Sequence, residues 1–166
     1  MNFTPEQQQM MMALQAAVAG AKEGSFDLPD GTRMIVEKPD TPGVKAVLRS
    51  SSGNGMIVTV YDELDQRPDG YPSAMPFLRG LACAAGEEPG GKTFATWFGL
   101  KDLDAAFAQV ESESLNAGWT RSGDAPSGGM FGMREVTYTM PGSKRQIMGA
   151  AFGPLGFLSC TDESAP

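Results

Sequence analysis

The sequence contains no histidine. That absence excludes Ser-His-Asp and Cys-His nucleophile systems, histidine-ligated zinc, haem on a proximal histidine, and a histidine pH switch. Cysteine is scarce. Cys83 and Cys160 stand far apart, and neither belongs to a C-x-x-C pair that could form a redox motif or zinc knuckle. Their neighbours are apolar, so they read as buried free thiols, although a bridge between them would add roughly 4–5 kcal/mol in the chain-entropy description. Basic residues are outnumbered, 13 Lys and Arg against 20 Asp and Glu, for a net charge of −7. No basic run exceeds Lys144-Arg145. A surface of this sign repels phosphate backbones, so no nucleic-acid partner is expected. Apolar runs fall short of the roughly 20 residues of a spanning helix, so no membrane insertion is expected either. Serine acyl chemistry lacks both its G-x-S-x-G and its S-x-x-K signature.

What is present is a globular composition of 166 residues, 41% of them apolar, which suits one domain over residues 1–166. Thr4-Pro5-Glu6-Gln7 opens a helix with a cap, a proline at the first helical position and a glutamine that can reach back. Met11, Leu14, Val18 and Ala21 then share one face, which predicts a helix over about residues 5–23. The alanines near its end resemble a leader's cleavage region, but no basic residue precedes Lys22. The segment therefore reads as part of the fold. The compartment is cytoplasmic by default, or periplasmic or secreted if a leader was removed.

Strands are expected over 25–28, 33–38, 44–49 and 56–61, with Asp30-Gly31 and Asn54-Gly55 as turn signals. From Asp62 to Pro76 the chain is acidic and turn-rich, which predicts a surface loop and the best place for a subdomain joint. Two apolar runs, 77–85 and 93–100, suggest a hairpin. Asp102 caps a second helix, about 102–117, with Leu103, Ala106, Phe107 and Val110 on one face, Glu111 and Glu113 on its wet side, and Gly118 closing it. A loop over 122–129 and strands over 135–140, 146–152 and 155–160 complete the chain. The expected fold is α+β, mainly antiparallel sheet packed against two main helices. Helix followed by strands occurs twice, which hints at an internal duplication.

Three constellations could carry function. Gly86-Glu87-Glu88-Pro89-Gly90-Gly91-Lys92-Thr93 satisfies G-x-x-x-x-G-K-T, in which Gly86, Gly91, Lys92 and Thr93 would cradle phosphate. The sequel Phe94–Gly99 reads as a strand, however, and a phosphate loop needs a helix N-terminus there. Eleven methionines form the second oddity. Their main use is core filling, with Met130 and Met133 spaced for a partner-binding patch or, as an alternative, Cu(I) handling. Third, Asp62, Glu63, Asp65 and Tyr71 lie on the acidic loop, where carboxylates and an aromatic ring suit a protein contact. The economical reading is a soluble, non-catalytic binding protein: an inhibitor, immunity-type protein, chaperone or accessory subunit. Asp62, Glu63, Asp65, Tyr71, Met130 and Met133 would face another protein, with no cofactor or catalytic residue. Nucleotide or phosphate binding through residues 86–93 is the alternative.

Overall fold

A computed structural model describes residues 23–27, 33–50, 57–88, 91–125, 134–152 and 155–164. Ten strands form a single antiparallel sheet in the order β1-β2-β3-β4-β5-β6-β10-β9-β8-β7. The first six run as a meander: β1 (Gly24–Asp27), β2 (Arg33–Glu37), β3 (Val44–Ser50), β4 (Ile57–Tyr61), β5 (Cys83–Glu88) and β6 (Lys92–Leu100). A helix, α1 (Leu103–Asn116), carries the chain to the far edge. A second meander then returns inward through β7 (Thr120–Ala125), β8 (Arg134–Met140), β9 (Ser143–Phe152) and β10 (Leu155–Ser164). β10 pairs with β6, so Cys160 lies opposite Ala95 and Thr161 opposite Phe94, and the two meanders become one sheet.

This corrects the α+β expectation. The molecule is mainly β, with one sheet and, among the described residues, one helix. The expected helix over 5–23 falls almost wholly outside the described residues, as does the duplication that rested on it.

Alternation places successive side chains on opposite faces of the sheet. On β4, β5 and β6, Val58, Val60, Ala84 and Phe94 belong to one buried cluster, together with Met34, Val36, Ala46 and Leu48. Tyr61, Cys83, Ala85, Ala95 and Trp97 belong to the other. This second cluster continues through Val136, Tyr138, Ile147, Leu158 and Cys160, and it receives Phe107 and Val110 from α1. Asp102 starts α1 as expected, its Oδ1 accepting the Ala105 N–H at 3.0 Å. The helix can lie close to β9 because Gly149 sits beneath it. A Cβ there would stand 3.1 Å from Leu103 Cδ1 and 3.4 Å from Phe107 Cδ2.

Candidate functional site

The long connection between β4 and β5 dominates one end of the sheet. Its sequence is polar enough to suggest a loop lying free on the surface, yet its inner side is core. Tyr71, Met75 and Leu78 are buried, and Met75 is completely so. The Tyr71 hydroxyl donates to the Pro76 carbonyl at 2.5 Å, and its ring meets Tyr61 and Phe77 at 5.7 and 5.5 Å. Arg67 lies over that ring and donates to the carbonyls of Pro72 and Ser73. The backbone is pinned as well: Gly80 N–H donates to Leu64 O at 2.8 Å and Asp62 N–H to Gly43 O at 3.0 Å.

A buried guanidinium fastens this segment to the rest. Arg145 on β9 is 1% exposed and is held by Asp162 on β10 in a two-pronged pair of 2.7 and 2.8 Å. Its other N–H groups reach the Ser114 hydroxyl of α1 at 2.9 Å and the Ala74 carbonyl at 2.8 Å. The guanidinium also stacks on Trp119 at 4.6 Å. Burial is the largest single influence and lowers its proton affinity, but the hydrogen bonds to Asp162 and the surrounding negative charge, Asp162 and Glu113 included, together outweigh it and hold the pKa above the ordinary arginine value. One side chain thereby ties together two strands, the helix and the β4–β5 connection. In the sequence Arg145 stands out only as half of the longest basic run, Lys144-Arg145. The signal was available: Arg145 is two residues from Ile147, and Asp162 two from Cys160, so alternation turns both inward.

Of the four residues expected on the acidic contact surface, three point outward and one does not. Glu63 and Asp65 are exposed, and Asp62 is half-exposed with Lys45 Nζ at 3.6 Å. Tyr71 is turned into the core, 6% exposed, so its ring is not available to a partner. Met130 and Met133 lie outside the described residues.

Gly86, Gly91, Lys92 and Thr93 belong to a hairpin. Gly86 pairs with Phe94, Glu87 with Thr93 and Glu88 with Lys92, so strand follows strand and no helix opens after Thr93. Lys92 Nζ faces Glu163 on β10 at 3.7 Å. A phosphate would find there neither a helix N-terminus nor a free lysine.

Neither thiol is placed for chemistry. Cys83 and Cys160 are free and buried, and burial pushes each pKa up to about 12. The expected wet-side carboxylates Glu111 and Glu113 are both half-buried. Glu111 accepts from the Tyr138 hydroxyl at 2.5 Å and faces Arg121 at 3.7 Å. Among the described residues no group of three or more Cys, Asp or Glu is arranged to hold a metal ion. No described helix is long and apolar enough to cross a membrane.

An open groove of about 820 Å³ runs between the Leu78–Cys83 stretch and the junction of β6 with α1. Tyr61, Leu78, Leu81, Leu100 and Ala106 line its apolar part. Lys45, Glu63, Arg79, Lys101 and Asp102 supply its charges.

Fold and surface together define a mainly β protein, one antiparallel sheet with an anchored acidic segment and an adjoining groove. The sequence matches no protein-family model, no curated protein and no solved structure.

Proposed function

We propose that this chain is a non-catalytic binding protein that presents the acidic outer side of the 62–82 segment to a basic partner protein. One observation carries the reading: the carboxylates of Asp62, Glu63 and Asp65 project from a segment whose inner side is locked into the core by Tyr71, Met75 and the Arg145–Ala74 bond. A contact surface held rigid before binding loses little conformational entropy on association. Its charge, in a chain of net −7, speeds encounter with a cationic surface and disfavours anionic ones.

The triple variant Asp62→Asn, Glu63→Gln, Asp65→Asn tests this without disturbing the buried side of the segment. Proteins captured from a lysate on the wild-type chain are purified and their association rates measured with both forms. At low salt the variant should associate at least about tenfold more slowly, and the difference should shrink as salt shortens the screening length. Equal rates for the two forms at low salt would remove the acidic segment from the interface.

A further inference from the structure

We propose that the groove between the Leu78–Cys83 stretch and the β6–α1 junction is a binding site for a small aliphatic carboxylate, its tail on the apolar floor and its carboxylate between Arg79 and Lys101. This goes beyond protein docking and does not depend on it. The volume of about 820 Å³ lies within the range of small-molecule sites. The floor is built from side chains that the core holds in place: Tyr61, Leu78 and Leu100 are all 3% exposed or less.

The charges at the rim decide the ligand's sign. Elsewhere in the molecule most described cations sit in ion pairs: Arg33 with Asp27, Arg49 with Glu37, Lys92 and Lys144 with Glu163, Arg121 with Glu111, and Arg145 with Asp162; Lys38, Arg67 and Arg134 have none among the described residues, and none of those three lines the groove. Arg79 and Lys101 are exposed and have no ion-pair partner among the described residues, yet both line this groove. Of the other charges there, Lys45 is held by Asp62, and Asp102 caps α1 through the Ala105 N–H. The lining as a whole carries three cations, Lys45, Arg79 and Lys101, against two carboxylates, Glu63 and Asp102. In a chain of net −7 this is a local excess of positive charge beside apolar surface, which suits a ligand with one anionic end and one greasy end.

The test is a titration of the ¹⁵N-labelled full chain with octanoate, followed by amide spectra, with octanol and octylammonium as comparators. Octanoate should move the Gly80 and Gly99 amides along a saturating curve, with a Kd on the order of 1 mM or tighter. Arg79→Gln and Lys101→Gln should each weaken it by about tenfold, the share of one charge-assisted bond, while Lys38→Gln, an exposed lysine off the groove, should leave it unchanged. Both glutamine variants change exposed side chains, and unaltered melting temperatures confirm that they fold. The proposal is overturned if those amides stay still, if octanol or octylammonium titrates them as well as octanoate, or if neither glutamine substitution weakens binding.

Discussion

Gly86 shows how a single residue can suit two unrelated chemistries on paper and serve only one in the fold. As the first glycine of a phosphate-loop pattern it would expose backbone amides. In the sheet it lies opposite Val58, and a Cβ there would run into the Ile57 carbonyl oxygen. The strand needs the missing side chain because the neighbouring backbone occupies its place. Gly86→Ala should therefore destabilise the protein by about 1–3 kcal/mol through overpacking, read as a lower urea midpoint at constant slope. The thiols make a second residue-scale case. Burial raises Cys83 and Cys160 to about 12 from an ordinary value of 9.0, so the folded state favours the neutral form. Their contribution to stability is whole below pH 9 and is lost as the pH climbs through 12, because the unfolded chain releases those protons first. Tyr71 and Tyr138, also raised by burial, add to the same alkaline loss. The melting temperature should fall between pH 9 and about 12. Replacing both cysteines by alanine should leave a shallower decline, the part owed to the tyrosines; an unchanged slope would assign the loss elsewhere.

Between elements, Arg145 is the piece on which β9, β10, α1 and the β4–β5 connection converge. Arg145→Met leaves Asp162 facing the core with its partner gone and should cost about 3–5 kcal/mol. Adding Asp162→Leu should recover part of that loss, since a well-packed apolar pair can replace a buried ionic one. Denaturant titrations of the two variants distinguish an ionic clamp from mere packing. How much of this was legible in advance follows from which forces act locally. β8 shows its alternation in sequence, and Val136 and Tyr138 are buried as that pattern predicts. The cap at Asp102 and the strands β2, β3, β4 and β6 are equally local and fall within a residue or two of their predicted bounds. The β4–β5 connection misleads because its proline, glycine and aspartate content reports turns truthfully and says nothing about what lies under them. Tyr71 and Met75 join a buried cluster that also draws on Trp97, Val136, Ile147 and Leu158, residues distant in sequence, and spacing along the chain does not record that. Likewise Ser114, not Leu115, faces the sheet: Leu115 is 48% exposed while Ser114 bonds to Val110 O and Arg145.

For the molecule as a whole the decisive feature is the seam between β6 and β10. Sequence pattern identified strands on both sides of α1 but held no sign that they would share a ladder, because pairing partners some sixty residues apart leave no local trace. Without that seam the chain would be two meanders of six and four strands, and the β4–β5 connection could act as a joint within the first. With it, Leu158 packs in the same cluster as Trp97, Ile147 and Phe107, so loosening one half removes core from the other. Unfolding should accordingly be a single cooperative transition, with calorimetric and van't Hoff enthalpies in agreement. Leu158→Ala, which opens a cavity at a completely buried position on the seam, should cost about 2–5 kcal/mol. That loss should move the whole transition to lower temperature without splitting it. Amide exchange supplies the finer measurement: β4 and β9 lie on opposite sides of the seam, and in this variant their slowest amides should lose protection by equal amounts. Unequal losses, or a second calorimetric peak, would mean that the two meanders are stable separately and that the β6–β10 ladder joins them only loosely.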